Sequence, residues 1–103
     1  MVERGEIWWY EHPSRAPRPH LILTRSEAIP VLNQVLGVPT TRRARGIPSE
    51  VGLDEDDGMP VPCVLTLDGA LQIRPALCTE RITVLGPAKM AAVCEALRLA
   101  TGC

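Results

Sequence analysis

Proline and glycine interrupt this chain so often that they limit what it can fold into. Ten prolines and eight glycines are spread over 103 residues, and they divide the chain into many short segments and turns. Proline breaks the interior of a helix and removes a hydrogen bond from a central strand, so long regular elements are disfavoured. We therefore expect a fold built from short elements, most of them strands.

The C-terminal segment is different because its apolar residues recur with a helical period. Pro87 follows Gly86 and suits the first position of a helix, and Gly102 suits the position after the last turn. An apolar stripe at spacings typical of one helix face is formed by Met90, Val93, Cys94 and Leu97. The pattern predicts a terminal helix from Pro87 to Gly102 whose stripe packs on the core.

Apolar and β-branched runs bounded by proline or glycine predict the strands. They cover Glu6–Tyr10, Leu21–Thr24, Gln34–Val38, Glu50–Leu53, Pro62–Leu67 and Arg81–Leu85, with Leu71–Ile73 continuing or re-pairing the fifth. Ser26 is expected to start a short helix whose length Pro30 limits. About six strands and a C-terminal helix predict a mainly β (α+β) fold, a small β-barrel forming one domain over residues 1–103.

Composition excludes several classes of protein. Hydrophobic residues make up 46% and charged residues 22%, which is typical of a soluble globular chain. No signal peptide or membrane span is apparent, which predicts a cytoplasmic location. The four cysteines form no CxxC pair and no zinc-site spacing, so we expect free thiols and no metal, with a Cys78–Cys94 disulfide as the alternative. The acidic run 54–57 lacks the alternating ligands of a calcium loop and is expected to be a solvated loop.

Charge is unevenly distributed along a chain whose net charge is only -1. Thr40 and Thr41 are followed at once by three arginines, Arg42, Arg43 and Arg45. Arginine matches phosphate oxygens with a planar fork of donors, so this stretch is typical of a phosphate-binding surface. Every basic residue except Lys89 is an arginine, and the codon preference of a GC-rich genome explains that bias equally well.

Five segments resemble the MazF/PemK family of toxin endoribonucleases, in the family's order. They are ERGEIWW at the start, RPHLILTR from Arg18, VPTTRRARGIPSEV from Val38, LDGALQI from Leu67 and RITVLGPAKMAAVCEALRLATG at the end. The resemblance implies an SH3-like barrel that forms a homodimer and cleaves single-stranded RNA with no metal or cofactor. It also implies a cognate antitoxin that inhibits the protein. The RNA class, whether mRNA, tRNA or rRNA, stays open.

The resemblance also implies which residues act on RNA. The family's catalytic arginine precedes a proline at the second strand, which corresponds to Arg18, and its catalytic threonine corresponds to Thr41, with Thr40 as the alternate. RNA supplies its own nucleophile, the 2′-hydroxyl, and the products would be a 2′,3′-cyclic phosphate and a 5′-hydroxyl. Arginine and threonine suit the remaining task, which is donating hydrogen bonds to the charged phosphorane.

The chain departs from the family in two places. The first loop, residues 11–17, is shorter than usual, so the base specificity of relatives cannot be transferred. Some PemK relatives carry an arginine two residues before the aspartate that corresponds to Asp68, and here Thr66 fills that position. His12 in the first loop and Asp68 are therefore further catalytic candidates. The predicted RNA-binding residues are Arg15, His20, Arg42, Arg43 and Arg45.

Two other functions remain open from the sequence. A same-fold toxin that poisons DNA gyrase would depend on a tryptophan near the C-terminus, whereas this chain ends Leu99–Cys103 without one. A non-catalytic RNA-binding module would keep the arginines and lose cleavage. Trp8 and Trp9 could stack on bases, but neighbours on a strand face opposite sides, so at least one is expected in the core.

Overall fold

The computed structural model describes all residues, Met1–Cys103, as seven strands followed by one helix. Proline and glycine bound most of the elements, as their spacing in the sequence requires. The elements are β1 (Glu6–Tyr10), β2 (Arg18–Ile22), β3 (Val35–Thr41), β4 (Glu50–Leu53), β5 (Cys63–Thr66), β6 (Leu71–Ile73), β7 (Cys78–Val84) and α1 (Pro87–Thr101).

All strand pairs are antiparallel and form one sheet in the order β4-β5-β3-β2-β1-β7. β3 is the hub, because β2 pairs along one edge while β6 and then β5 pair along the other. The predicted mainly β fold with a C-terminal helix is confirmed, with seven strands in place of about six. The barrel is not closed, since β4 and β7 lie at the two ends of the order.

Two strands differ from their predicted bounds at prolines. β2 begins at Arg18 rather than Leu21, and β3 runs on to Thr41 rather than ending at Val38. Pro19 lies near the start of β2, where pairing with β3 has not yet begun, and strand starts are positions at which proline is tolerated. Pro39 lies where the neighbour along one edge changes from β6 to β5. Both extensions place candidate site residues on rigid strands rather than in loops.

The core has a large part beneath α1 and a smaller part on the other side of the sheet. The large cluster includes Ile7, Leu21 and Leu65, all fully buried, together with Val93 and Ala96 from the helix. The smaller cluster is formed by Val2, Tyr10, Ile22, Ile29, Val35 and Ile73. Burying these aliphatic side chains supplies most of the stability of so aromatic-poor a chain, at about 1.5–3 kcal/mol each.

The terminal helix forms as predicted, with one error in its buried face. Pro87 occupies the first turn, and Gly102 ends the helix in a left-handed conformation with φ of +75°. Glycine reaches that region without a steric penalty, which is why it stops helices so often. Cys94 is exposed rather than part of the apolar stripe, and Ala96 is buried in its place.

The predicted helix start at Ser26 is wrong. Residues Ile29–Val31 form a single 3-10 turn, and Ala28 precedes it without a side-chain cap. The Ser26 hydroxyl instead accepts a hydrogen bond from the backbone N–H of Arg4, at 3.1 Å. This bond ties the N-terminal segment to the turn after β2.

The acidic run 54–57 is a compact, partly exposed turn. The Asp54 carboxylate accepts from backbone N–H groups of the 3-10 turn Glu55–Asp57, and the Asp57 carboxylate accepts from the N–H of Asp54. These two reciprocal contacts form a capping box. Lys89 of α1 forms an ion pair with Asp57 at 3.5 Å. The turn therefore connects the end of β4 to the helix.

Several general features bear on the kinds of site the chain can hold. All four cysteines have free thiols, and burial raises the pKa of Cys78 to about 11, so that thiol stays protonated near neutral pH. No group of three or more histidine, cysteine, aspartate or glutamate side chains is placed to hold a metal ion. None of the chain's helices has the length and apolar character needed to cross a membrane.

Candidate nucleic-acid interface

Arg18 and Thr41 lie across from each other at adjoining strand ends. β2 and β3 pair with His20 opposite Pro39, and the same register continued by two residues brings Arg18 opposite Thr41. Directly opposed residues of an antiparallel pair point to the same face of the sheet. Both side chains line the same two surface depressions, one of about 660 Å³ and one of about 580 Å³.

The two neighbouring threonines differ in environment. Thr40 is only 3% exposed, and its hydroxyl donates to the carbonyl of Pro19 at 3.1 Å. Thr41 is half-buried, and its Oγ1 accepts from the backbone N–H of Arg43 at 3.2 Å. Since accepting one bond leaves the hydroxyl hydrogen free, Thr41 can donate to a ligand while Thr40 is already committed. Of the two threonines, Thr41 therefore has the hydroxyl that is free to donate to a ligand.

Three depressions meet at Arg18, which lines all of them. The apolar depression is walled by Trp9, Pro19, Met59 and Val61, with Arg42 and Arg43 on its rim. The cationic depression, of about 380 Å³, is lined by Tyr10, His12, Arg15 and His20. The mixed depression holds Arg43, Arg45, Glu50 and Asp68. These volumes lie in the range of ligand-binding clefts.

The arginine loop, residues 42–49, carries its charges unpaired. The chain has three ion pairs, Arg81–Glu6, Lys89–Asp57 and Arg98–Glu95. None of them includes an arginine of the loop. Arg42, Arg43 and Arg45 are all exposed. Guanidinium groups without a partner in the protein can bind an anionic ligand, and no ion pair has to break first.

Glu50 shapes this loop from the first position of β4. Its carboxylate accepts from the backbone N–H of Arg45, at 3.0 and 3.1 Å to its two oxygens, and from that of Gly46 at 3.0 Å. Gly46 has φ of +70°, a conformation that favours glycine and lets the chain turn over the carboxylate. Sequence reasoning missed Glu50, because only the curvature of the loop brings it to these amides.

His20 is buried beside Arg18 and is held by the backbone. Its Nδ1 lies 3.0 Å from the carbonyl oxygen of Arg18, and its ring centroid is 4.9 Å from that of Tyr10. Burial lowers the pKa of His20, and the nearby charges of Arg18, Arg15 and His12 lower it further, while the bond to the carbonyl opposes them. The imidazole is therefore neutral near neutral pH.

His12 and Asp68 line different depressions beside Arg18. His12 lines the cationic depression, where its Nδ1 accepts from the backbone N–H of Ser14 at 3.0 Å. Asp68 lines the mixed depression, and one of its carboxylate oxygens accepts from the hydroxyl of Ser49. The two further catalytic candidates therefore do not share one depression.

The comparisons with known proteins agree on one family. The profile of the PemK-like, MazF-like toxins of type II toxin-antitoxin systems matches residues 3–101. The chain belongs to the PemK/MazF toxin family. It is 37% identical over 104 residues to the probable endoribonuclease MazF5 of Mycobacterium tuberculosis, a match that covers 100% of this chain and 95% of that relative.

Solved structures of MazF toxins have the same fold. The Mycobacterium tuberculosis toxin MazF-mt6 superimposes with a TM-score of 0.85 at 30% identity, covering 94% of this chain and 96% of that one. A mycobacterial endoribonuclease in complex with its cognate antitoxin superimposes with a TM-score of 0.88 over 99% of this chain and 96% of that one. At 20% identity, the second likeness supports the fold alone.

The two tryptophans of this MazF-like toxin have different roles in packing. Trp9 lines the apolar depression, whereas Trp8 packs partly against the smaller core cluster and donates its indole N–H to Glu6 at 3.0 Å. Burial raises the pKa of Glu6, but bonds from Trp8, the Glu3 backbone and Arg81 outweigh it and hold that pKa below its usual value. Both tryptophans are half-buried, so neither lies fully in the core.

Proposed function

We propose that this MazF-like chain is the toxin of a type II toxin-antitoxin system and cleaves single-stranded RNA endonucleolytically, without a metal or other cofactor. The observation that carries the proposal is the placement of Arg18 opposite Thr41, where three depressions meet beside unpaired arginines. The names of the most similar relatives, probable endoribonucleases MazF5 and MazF2, support the same reaction.

The proposed chemistry uses the 2′-hydroxyl of RNA as the nucleophile. Its attack on the adjacent phosphorus builds negative charge on the phosphorane oxygens, and release of the 5′ oxygen leaves a 2′,3′-cyclic phosphate. Arg18 presents several N–H donors in a fixed plane, and Thr41 adds one hydroxyl donor from the opposite strand. Donors placed in advance on rigid strands stabilise the developing charge without reorganising, which is a large source of catalysis.

The remaining contacts are proposed to position the strand. Arg42, Arg43 and Arg45 would hold phosphates on one side of the scissile group, and Arg15 would hold one on the other side. Phosphate contacts set register, while base contacts set sequence preference. Trp9 and the prolines of the apolar depression offer a surface on which a flanking base can stack.

We propose two protein partners as well. One is a second copy of the chain, since the family resemblance implies a homodimer. The other is a cognate antitoxin, supported by the solved structures of relatives with their antitoxins, including MazE-MazF from Deinococcus radiodurans. We place the protein in the cytoplasm, where its RNA substrate, mRNA, tRNA or rRNA, is found.

The deciding experiment incubates the purified chain with single-stranded RNA in EDTA. We expect internal cuts whose products carry 2′,3′-cyclic phosphate and 5′-hydroxyl ends, and we expect the folded Arg18→Ala variant to make them about a hundredfold to a thousandfold more slowly. RNA that is bound but left intact would identify a binding module. Inhibition of DNA supercoiling in a parallel assay, with RNA intact, would identify a gyrase poison. Sequencing of the 5′ ends of cleaved cellular RNA would then reveal the target class.

A further inference from the structure

The geometry points to His20 as the residue that accepts the proton of the 2′-hydroxyl. This inference rests on the proposed ribonuclease activity and supplies a step that arginine cannot perform, since guanidinium stays protonated at any physiological pH. The sequence favours a structural role or an RNA contact for His20. Its hydrogen bonding, its accessibility and its place beside Arg18 each support the catalytic assignment.

The hydrogen bond to Arg18 determines which ring nitrogen of His20 carries a proton. A carbonyl oxygen only accepts, so Nδ1 must be the donor in the 3.0 Å contact with the Arg18 carbonyl. In a neutral imidazole the other nitrogen, Nε2, then has a free lone pair. His12 is in the opposite state, because its Nδ1 accepts from the Ser14 amide and its neutral ring carries the proton on Nε2. Of the two histidines, His20 is the proton acceptor and His12 a donor.

Nε2 of His20 is accessible although the residue is 7% exposed. Every fully buried side-chain nitrogen or oxygen in the chain has a hydrogen-bond partner, and Nε2 has none. The lone pair must therefore open onto solvent, and the cationic depression is the surface that His20 lines. The free lone pair of Nε2 is therefore available to a ligand bound in this depression.

His20 shares a sheet face with the residues that would bind the scissile phosphate. Residues two apart on a strand point the same way, so His20 lies beside Arg18 on that face. Arg18 lines the cationic depression together with His20 and the mixed depression together with Thr41. Arg18 therefore joins the depression that holds His20 to the depression that holds Thr41, so a phosphate bound by Arg18 lies near both side chains. The 2′-hydroxyl attacks from the side of phosphorus opposite the leaving 5′ oxygen, so one base beside the bound phosphate is enough to take its proton.

The charges around His20 keep it unprotonated before the reaction. The groups that face it are Tyr10 from β1, His12 and Arg15 from the first loop, and Arg18 from β2, and no carboxylate lines the cationic depression. Burial and the charges of Arg18 and Arg15 oppose protonation of His20 in the free protein. When RNA binds, its phosphates bring negative charge that stabilises the imidazolium as it forms.

The step balances as follows. The O2′–H bond breaks and its proton passes to Nε2 of His20, while O2′ forms a bond to phosphorus. The P–O5′ bond breaks, the 5′ oxygen takes a proton from water, and the imidazolium later returns its proton to solvent. No oxidant, metal or covalent protein intermediate takes part.

The test separates base catalysis from a structural role by replacing His20 with asparagine. In His20→Asn the side-chain N–H can still donate to the Arg18 carbonyl, but the Nε2 lone pair is lost. We expect kcat to fall by about a hundredfold, the lower end of general-base contributions, with KM within threefold. In the wild-type chain, kcat/KM should fall as the pH drops below the usual histidine pKa of about 6.5, and this acidic limb of the pH profile should disappear in the variant. His12→Asn removes the other histidine of the same depression, and the acidic limb should persist in this variant whatever its rate.

A second measurement requires no variant of the chain. A substrate whose 5′ oxygen is replaced by sulfur has a better leaving group, which departs without being protonated. An acidic limb that persists with this substrate must therefore come from protonation of the general base. We expect the wild-type chain to keep its limb on this substrate. The assignment is overturned if the limb vanishes there, if folded His20→Asn cleaves within threefold of wild type, or if His12→Asn removes the limb. A wild-type chain that cuts no RNA would overturn the proposed function itself.

Discussion

The cationic depression and the mixed depression flank the same arginine but are built in different ways. His20 in the first is buried and held through the Arg18 backbone, and no carboxylate is present. In the second, exposed arginine side chains share the space with Glu50 and Asp68, and only the loop backbone is held. Groups fixed on strands suit the chemical step, whereas exposed charges on a loop suit capture of the RNA strand. Substitutions on the two sides should therefore affect different kinetic constants.

The largest effect is expected at Arg18, which belongs to both sides. Removing one donor to an oxyanion typically costs about 2.7–4 kcal/mol, so Arg18→Ala should lower kcat/KM by about a hundredfold to a thousandfold. The exposed Arg25, which lines none of the three depressions, gives the matched control, and Arg25→Ala should cleave within twofold of wild type. If folded Arg18→Ala cuts RNA within threefold of wild type, the catalytic arginine is elsewhere.

The next largest effect is expected at the threonine pair. Thr41→Val should lower kcat about tenfold with an unchanged melting temperature, because its hydroxyl is the one free to donate to RNA. Thr40→Val should mainly destabilise the fold, by about 1 kcal/mol, since it removes a buried hydrogen bond to Pro19. Single-turnover cleavage and thermal melts of both variants separate the two roles. The reverse ranking of cleavage, with both folded, would move the site to Thr40.

A smaller effect is expected at Glu50, whose carboxylate holds the arginine loop by its amides. Glu50→Ala should raise KM about fivefold and leave kcat within twofold, because a loosened loop must be ordered again on binding, at about 1 kcal/mol or more per residue fixed. Glu55→Ala removes the same charge from an exposed turn and serves as the control. A fall in kcat at constant KM would place Glu50 in the chemical step instead.

The smallest effect is expected for a single arginine of the loop. Each neutralised phosphate of a single strand contributes about -0.7 to the slope of log affinity against log salt, so Arg45→Gln should flatten the slope by roughly that amount. The titration uses the Arg18→Ala background, in which cleavage is slow enough for bound RNA to stay intact during the measurement. Affinity should weaken about threefold for both cognate and shuffled RNA, as expected for a phosphate contact. If Arg45→Gln keeps the full salt slope but loses a preference for one base, Arg45 contacts a base rather than a phosphate.

Periodicity and turn chemistry were enough to predict the fold, but not the bounds of the strands. β1, β4 and β6 have the expected bounds, and the helix ends at its predicted glycine, because local patterns determine these elements. β2 and β3 extend through Pro19 and Pro39 because tertiary pairing along the sheet outweighs the local preference against proline. The family predicted from five short segments is confirmed by the match over residues 3–101.

The candidate site could be predicted only where one residue type signals one task. Arg18 and Thr41 follow from a motif, and the structure brings them together. Glu50 and the proton state of His20 could not be predicted, because one depends on loop curvature and the other on burial and on which ring nitrogen meets a carbonyl. Such properties arise from contacts between residues distant in sequence or folded back on each other, which no single-sequence pattern encodes.

The unequal surroundings of the two tryptophans give this chain a built-in optical reporter. Trp9 walls the apolar depression, while the Trp8 indole is fixed to Glu6. A nucleobase that stacks on Trp9 would quench its fluorescence and leave the emission of Trp8 largely constant. Binding of RNA in the apolar depression can thus be followed in real time without a dye, and a Trp8→Phe variant would remove the background emission.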